Sequence, residues 1–241
     1  MAHLEQDRWK QAAADSALAL VEDGMVLGLG SGSTAARFVS SLARRISDQR
    51  LKIVGIATSL QTEQQARNLN IPLTTLAEQS QIDLTVDGAD EIVSGILCLI
   101  KGHGGALLRE KIVASASKRM AVVADETKIV DRLGSLVSVP VEIVPFGWEA
   151  TQRKLDALGG RPSLRTHSDG QPYITDGGHY IMNCAFGPMD NPQELADRLD
   201  HVVGVVEHGL FLDFATEALV AGPDGVRILK KDPPRSRAAD R

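Results

Sequence analysis

Residues 25–46 have the sequence MVLGLGSGSTAARFVSSLARRI, and the fold prediction starts from this stretch. The apolar run Met25–Leu29 ends in glycines, and apolar residues recur at helical spacing from Thr34 to Ile46. This order predicts a strand, a glycine-rich turn and a helix. Strands and helices continue to alternate as far as residue 124, which predicts an α/β fold with a parallel, doubly wound sheet.

The first half of the chain divides into short apolar runs and longer amphipathic segments. The short runs predict strands, and the segments with apolar residues at helical spacing predict helices. The predicted strands are Met25–Leu29, Leu51–Ile56, Leu84–Val86 and Met120–Ala124, and the predicted helices are Glu5–Val21, Thr34–Ile46, Gln61–Leu69 and Leu107–Ser115.

The pattern changes near Asp131. From there to residue 209 the order is strand, helix, strands, helix, strand, which is the split βαβ order of a ferredoxin-like module. We therefore predict a small α+β domain at residues 134–209, inserted into a main domain formed by residues 1–133 and 210–230. Pro140 is expected near a sheet edge, because proline cannot donate to a ladder. The polar, proline-bearing tail at residues 231–241 is predicted to be disordered.

The composition limits the classes of partner. The chain has 241 residues, a formal net charge of −5 and 4% aromatic residues, which argues against nucleic-acid binding. No apolar stretch reaches the roughly 18 residues of a membrane span, and the charged N-terminus is not typical of a signal peptide. Cys98 and Cys184 have no CxxC partner and are expected to be buried thiols, which favours a reducing, cytoplasmic location.

The glycine-rich turn Gly28–Thr34 is a candidate phosphate site. Its glycines allow close approach of an anion, the following helix offers unpaired N–H groups, and Ser31, Ser33 and Thr34 add hydroxyls. No lysine follows the last glycine, so the segment is not a P-loop, and no acidic residue ends the next strand, as a dinucleotide site requires. The alternative is a turn that needs glycines only to pack the helix against the strand.

A cluster of three carboxylates follows the third predicted strand, in the sequence Asp87-Gly88-Ala89-Asp90-Glu91. We expect it at the carboxyl end of a parallel strand, where open α/β sheets bind ligands. Carboxylates in this position can accept hydrogen bonds from sugar hydroxyls, transfer protons or bind a divalent cation. The alternative is an acidic surface turn with helix-capping aspartates.

A second glycine-rich turn, Lys101-Gly102-His103-Gly104-Gly105, is followed by Glu110 in the first turns of the next predicted helix. A turn with a purely structural role would not need to combine anion-binding features with a neighbouring carboxylate cluster, so the combination favours a functional site. Taken singly, however, Glu110 is also explained as a solvated helix residue and His103 as a solvated loop residue. Lys128, which follows the fourth strand, is equally explained as an exposed lysine. The other histidines have no metal-ligand spacing.

Four segments have now been singled out: the turn Gly28–Thr34, the acidic motif at residues 87–91, the turn at residues 101–105 with Glu110, and the stretch that ends at Lys128. In their order and spacing, they resemble the ribose-5-phosphate isomerase A family. The Asp-Gly-Ala-Asp-Glu motif at residues 87–91 and the Gly-Ala-Leu-x-x-Glu-Lys motif at residues 105–111 are together highly specific, and the likeness extends over nearly the whole chain. The resemblance implies a Rossmann-like domain with an inserted α+β domain, assembled as a homodimer or homotetramer. It also implies a cofactor-free, metal-independent interconversion of D-ribose 5-phosphate and D-ribulose 5-phosphate in the pentose phosphate pathway.

The resemblance further implies roles for individual residues. Glu110 matches the general base, and Lys101, Asp87 and Asp90 match residues that bind the sugar and assist ring opening. Lys10 matches a lysine that reaches the phosphate. His103 stands where relatives commonly have glycine. The expected substrate contacts are Ser31, Gly32, Ser33, Thr34, Asp87, Gly88, Ala89, Asp90, Lys101, Gly102, His103, Gly104 and Lys128.

These residues agree with the chemistry of an aldose–ketose isomerase. The reaction needs one base that moves a proton from C2 to C1, and partial burial brings the pKa of a carboxylate toward the neutral range that suits this role. Lys101 and the amides of Gly102–Gly105 are candidate donors to the enediolate oxygen. Two other hypotheses remain, namely a sugar-phosphate-sensing regulatory domain without chemistry and an aminosugar-phosphate deaminase or lactonase of similar architecture. The acidic motif with Lys101 and Glu110 argues against the first.

Overall fold

The computed structural model describes residues 2–231. The predicted tail, residues 231–241, lies outside this range except for Lys231. The helices are α1 (Ala2–Ala17), α2 (Gly32–Gln49), α3 (Leu60–Asn68), α4 (Leu107–Ser115), α5 (Trp148–Ala157) and α6 (Pro192–Asp200). The strands are β1 (Val26–Leu29), β2 (Val54–Ala57), β3 (Leu84–Asp87), β4 (Glu91–Val93), β5 (Cys98–Ile100), β6 (Met120–Asp125), β7 (Ile129–Val130), β8 (Val139–Ile143), β9 (Pro162–Leu164), β10 (Tyr180–Cys184), β11 (Val205–His208), β12 (Leu210–Phe211), β13 (Glu217–Gly222) and β14 (Gly225–Lys230). Within residues 2–231, no helix combines the length and the apolar character that crossing a membrane requires.

The main sheet has six strands in the order β14-β13-β6-β3-β1-β2. All neighbouring pairs are parallel except β13 and β14, which confirms the predicted Rossmann-like, doubly wound and mostly parallel architecture. Every residue of β3 and β6 is buried, as expected for inner strands that are covered on both faces. Phe38 and Leu42 of α2 lie in one buried apolar cluster with Leu27 and Leu29 of β1. This packing fixes the start of α2 relative to the end of β1.

The topology creates a crevice between β1 and β3. The chain leaves β1 toward β2 on one side, whereas β3 pairs with β1 on the other side. The connections that follow these two strands therefore diverge at their carboxyl ends. Open α/β sheets bind ligands at such a switch point. The diverging segments are residues 30–34 and 87–91, both of which the sequence analysis selected.

The second sheet has the order β11-β8-β10-β9, and every neighbouring pair is antiparallel. α5 connects β8 to β9, and α6 connects β10 to β11, so this is the predicted ferredoxin-like arrangement. All four strands fall between residues 139 and 208. The predicted domain boundaries at residues 134 and 209 enclose this sheet and remain a prediction.

Two details of the second sheet differ from the expectation. Pro140 lies in β8, which is an inner strand and not an edge. It is tolerated there because its carbonyl accepts the N–H of Gly209 at 2.7 Å, whereas the carbonyl of Gly209 already accepts the N–H of Lys101 and needs no donor at position 140. The predicted order places strands between the two helices of this module. Short strands were expected there at residues 163–166 and 173–175, but only residues 162–164 form one, and a single isolated bridge joins Thr166 to Pro172.

A third sheet, which the sequence analysis did not predict, has the order β12-β5-β4-β7. Its strands are only two or three residues long, too short for a period to be recognised. The segment after residue 210 was expected to return to the main sheet; β13 and β14 do so, but β12 pairs with β5. This small sheet matters for the site, because β4 begins directly after Asp90 and β5 ends directly before Lys101.

Candidate active site

Most of the predicted site residues surround one cavity of about 120 Å³. It lies where β1, β3 and β6 end, and its wall takes residues from the four selected segments and from α1. A larger cavity of about 530 Å³ beside α3 contains none of the predicted site residues. The residues that line the smaller cavity are Lys10, Ser31, Gly32, Ser33, Thr34, Gly88, Ala89, Asp90, Lys101, Gly102, Gly104, Glu110 and Lys128.

The loop after β1 bends sharply and packs against β3. The N–H of Gly30 donates to the carbonyl oxygen of Val86 at 2.9 Å. A Cβ at position 30 would lie 2.5 Å from Cα of Asp87, so only glycine fits. α2 then begins at Gly32, where φ is +86°, a value that glycine adopts readily. The first residues of α2 thereby line the cavity, where their N–H groups are available to an anion.

Positive charge and hydroxyl groups surround this helix start. Lys10 and Lys128 line the cavity, and neither makes an ion pair with another residue of the described range. Ser33 and Thr34 place hydroxyls in the same wall. Ser31 contributes less directly, because its hydroxyl is hydrogen-bonded within a cluster formed with Thr58, Ser59 and Thr62. The arrangement favours an anionic ligand.

Asp87 lies beneath the cavity and not in its wall. The side chain is fully buried, and Oδ1 accepts the N–H groups of Ser31 at 3.0 Å and Gly88 at 2.7 Å. The other oxygen, Oδ2, faces Nζ of Lys101 at 3.0 Å. Lys101 also donates to the carbonyl oxygen of Gly88 at 2.7 Å. Asp87 therefore fixes both the loop after β1 and the ammonium group of Lys101, while its expected contact with the sugar remains a prediction.

Glu110, in the first turn of α4, faces Lys101 from the other side. Its Oε2 lies 3.3 Å from Nζ of Lys101, and the side chain is almost completely buried. Burial raises the pKa of Glu110 to about 8; the charge of Lys101 opposes this shift, and the charges of Asp87 and Asp90 add to it. Burial disfavours the ammonium group of Lys101, but the two carboxylates raise its pKa, so it remains protonated. The site thus combines a base of nearly neutral pKa with a permanent cation.

Asp90 orders the second glycine-rich turn. Its Oδ2 accepts the N–H of His103 at 3.0 Å. The N–H of Gly105 donates to the carbonyl oxygen of Gly102 at 3.0 Å and closes the turn. Gly102 and Gly104 line the cavity, so the backbone of this turn is exposed to a ligand.

The side chain of His103 points elsewhere. It is exposed, and Nε2 lies 3.0 Å from the carbonyl oxygen of Ser138. His103 therefore gives its backbone to the turn, and a contact between its ring and the substrate remains a prediction.

Glu91, the third carboxylate of the acidic motif, has a structural role. It is completely buried and accepts hydrogen bonds from the N–H groups of Gly134, Leu136 and Val137. These residues begin the segment that leads to β8, so Glu91 anchors the passage to the second sheet. Its partners lie more than 40 residues away in sequence, and no local signal separates it from the neighbouring aspartates.

Two residues that the sequence did not point to contact the second glycine-rich turn. Arg165, directly after β9, and Tyr173, in the loop that follows, reach the carbonyl groups of residues 102–104. Both lie more than 60 residues after this turn and stand in no recognisable motif, so only the tertiary structure reveals the contact.

Asp87 and Glu110 both face the ammonium group of Lys101. Lys101 occupies the position between Asp87 and Glu110 that a cation would take. Within residues 2–231, one set of three side chains is close enough to share a metal ion, namely Asp200, Glu207 and His208. That set lies outside the cavity, and Nζ of Lys111 is already 2.6 Å from Oε1 of Glu207.

Comparison with protein families and curated proteins gives one consistent result. The model of the family described as ribose 5-phosphate isomerase A (phosphoriboisomerase A) matches residues 54–225. The chain is similar to the ribose-5-phosphate isomerase A of Synechococcus sp. (strain JA-3-3Ab), with 52% identity over 225 residues, 93% of this chain and 98% of that protein. It is also similar to the ribose-5-phosphate isomerase A of Gloeobacter violaceus, with 54% identity over 226 residues, 94% of this chain and 97% of that protein.

Solved structures agree. Ribose 5-phosphate isomerase A from Methanocaldococcus jannaschii superposes with a TM-score of 0.90 at 39% identity, covering 94% of this chain and all of that one. A D-ribose-5-phosphate isomerase in complex with phospho-erythronic acid also gives a TM-score of 0.90, at 37% identity and with 93% of this chain and 98% of that one covered.

Proposed function

Because the chain belongs to the ribose-5-phosphate isomerase A family, we propose that Glu110 is the base with which it interconverts D-ribose 5-phosphate and D-ribulose 5-phosphate. The open-chain aldose loses its C2 proton to Glu110, the C1–C2 double bond forms, and the carbonyl electrons pass to O1. Glu110 then returns the proton to C1 while the C2 carbonyl forms, and the O2 proton passes to O1. The atoms balance without a redox partner.

The charge of Lys101 stabilises the intermediate. Proton transfer moves one negative charge from Glu110 to the enediolate, and the ammonium group of Lys101 lies within hydrogen-bonding range of the base and in the cavity wall. The cation therefore compensates the charge both before and after the transfer. Fixed charges of this kind need no reorganisation when the reaction occurs, which is why they lower the barrier.

Asp90 serves the sugar hydroxyls directly, whereas Asp87 acts on them through Lys101. Asp90 lines the cavity, so its carboxylate is placed to hold a hydroxyl and to move the proton that opens the ring. Asp87 acts from below, through the ammonium group of Lys101.

The phosphate lies at the start of α2. Residues 32–34 offer backbone N–H groups, Ser33 and Thr34 offer hydroxyls, and Lys10 and Lys128 supply charge that no acidic side chain of the described range neutralises. Phospho-erythronic acid, which a related isomerase binds, suits the same cavity because it combines a phosphate with a carboxylate that resembles the enediolate.

The observation that supports the proposal most directly is the buried row Asp87–Lys101–Glu110 next to an anion-binding loop. The test measures conversion of ribose 5-phosphate together with the release of a deuterium label from C2. We expect turnover, label release and a primary isotope effect in the wild-type protein. Conversion of an aminosugar phosphate or a sugar-phosphate lactone, but not of ribose 5-phosphate, would contradict the proposal.

Assembly as a homodimer or homotetramer is part of the same proposal. Phe146 and Val203, at one end of the second sheet, are 94% and 77% exposed, and the neighbouring Val144 N–H donates to the carbonyl oxygen of Gly204. An apolar edge of this kind is typical of a surface that another subunit covers. Light scattering of the protein and of the variant Phe146→Asp tests this, and we expect the variant to dissociate.

We further propose a cytoplasmic location and an independent small domain at residues 134–209. The two cysteines are free, which fits a reducing compartment. Most members of the buried cluster that contains Val141, Ile143, Leu155 and Leu199 belong to the second sheet and its helices, and Ile100, Val130 and Leu210 join it from outside residues 134–209. Limited proteolysis near residues 134 and 209 tests the boundaries.

A further inference from the structure

Arg165, directly after β9, connects the second sheet to the turn beside the cavity. Its Nη1 donates to the carbonyl oxygens of Gly102 at 3.2 Å and His103 at 3.1 Å. Its Nη2 donates to Oδ1 of Asn183 at 2.6 Å, and the guanidinium carbon lies 5.8 Å from the centre of the Tyr173 ring. One planar side chain thus joins two successive peptide groups of the turn to β10.

The guanidinium group is held on a rigid element, whereas the turn is rich in glycine. The backbone N–H of Arg165 donates to the carbonyl oxygen of Ile181 at 2.8 Å, and the carbonyl oxygen of Arg165 accepts the N–H of Tyr173 at 2.9 Å. The Tyr173 ring also packs on the turn, since a Cβ at Gly105 would lie 2.2 Å from the phenol oxygen. Without these contacts, the peptide planes of a glycine-rich turn would be free to rotate.

The hydrogen bonds of Arg165 determine where the N–H groups of the turn point. In a trans peptide, the carbonyl and the following N–H point in opposite directions, and the described chain contains no cis peptide. The N–H groups of His103 and Gly104 therefore point away from Arg165. The first donates to Asp90, a residue of the cavity wall. The second has no hydrogen-bond partner among the described residues, and Gly104 lines the cavity.

We propose that Arg165 is a positioning residue that orients the Gly104 N–H as a donor to the enediolate oxygen. This inference rests on the proposed isomerase function. The guanidinium charge also polarises the two carbonyls, and hydrogen bonds in such a chain strengthen one another. Removal of a donor to a developing oxyanion costs about 10²–10³ in turnover. Because Arg165 acts through the backbone, the expected loss is smaller, about 10- to 50-fold.

The experiment compares Arg165→Lys with Arg161→Lys. Lysine keeps the charge but lacks the planar fork that binds two carbonyls and an amide at once. Arg161 is an exposed arginine directly before β9 that donates to the carbonyl oxygen of Ala185, so it is a matched control. For Arg165→Lys we expect the kcat loss given above, a KM within about threefold of the wild type, and weaker binding of phospho-erythronic acid. Binding of inorganic phosphate and the Tm should not change.

Three results would overturn the inference. One is a wild-type kcat in both Arg165→Lys and Arg165→Gln. Another is a parallel loss of phosphate affinity and Tm, which would indicate a general structural role. The third is failure of both variants to fold, because the contribution is assigned to the turn and not to the stability of the fold. A wild-type protein that does not convert ribose 5-phosphate would instead refute the proposed function, and this is measured before any variant.

Discussion

Nζ of Lys101 lies 3.3 Å from Oε2 of Glu110, and both groups are buried at the floor of the cavity. The charges do not cancel as they would in an isolated ion pair, because Asp87 shares the same ammonium group at 3.0 Å. Two carboxylates therefore compete for one cation. This competition and the burial explain why Glu110 accepts a proton more readily than an ordinary glutamate.

We predict that Glu110→Gln loses a factor of about 10²–10⁴ in kcat, the usual contribution of a general base. The amide keeps the shape of the side chain and removes only the proton acceptor, so the affinity for ribose 5-phosphate should remain near that of the wild type. Steady-state kinetics with Glu149→Gln, an exposed glutamate, as the control measure this. Near-wild-type turnover in Glu110→Gln would reject Glu110 as the base.

The pH dependence of the reaction should report the ionisation of the same carboxylate, Glu110. The base acts when it is deprotonated, so kcat/KM, which reports the free enzyme, falls as the pH is lowered through the pKa of Glu110, which burial raises to about 8. A free glutamate would place this decline near pH 4.3. The negative charge of Asp90 contributes to the raised pKa, so Asp90→Asn should move the decline to lower pH. A decline that stays in place in Asp90→Asn would mean that another group is titrating.

We expect activity to survive exhaustive treatment with EDTA. The ammonium group of Lys101 already lies between Asp87 and Glu110, and a metal ion would have to displace it. The measurement is turnover of ribose 5-phosphate before and after chelation, followed by addition of Mg²⁺, Mn²⁺ or Zn²⁺. If activity disappears and a divalent cation restores it, Asp87 and Asp90 are metal ligands and their assigned roles are wrong.

Glu91→Gln should destabilise the protein. Three backbone N–H groups converge on the buried carboxylate of Glu91. Replacing one oxygen by an NH₂ group leaves at least one of them facing a donor, and a hydrogen bond to a charged group contributes about 1.5–3 kcal/mol. We therefore expect the free energy of unfolding to fall by about 2 kcal/mol or more, measured by urea titration against Glu149→Gln. An unchanged stability would show that the anchor contributes nothing.

The contrast between Glu91 and its neighbours shows what the sequence could predict. The alternation of strands and helices and the ferredoxin-like order follow from local patterns. The convergence of residues 31–34, 88–90, 101, 102, 104 and 128 on one cavity follows from their positions at strand ends. The different roles of Asp87, Asp90 and Glu91 cannot be predicted from such patterns, because each role depends on partners that are distant in sequence. The contact of Arg165 with the turn at Gly102 is unpredictable for the same reason.

The last prediction concerns Thr34, in the first turn of α2. Its hydroxyl lines the cavity next to the helix start, close to the ammonium groups of Lys10 and Lys128, which form no ion pair within residues 2–231. The phosphate is proposed to lie there. Thr34→Ala removes one donor to a charged group, worth about 1.5–3 kcal/mol, so KM for ribose 5-phosphate should rise about tenfold or more. Ser47→Ala, an exposed hydroxyl at the other end of the same helix, is the control. The comparison with unphosphorylated ribose decides the interpretation, because a phosphate contact affects only the phosphorylated sugar. If Thr34→Ala weakens the binding of both sugars equally, or of neither, then Thr34 does not bind the phosphate and the loop after β1 is a packing turn at this position.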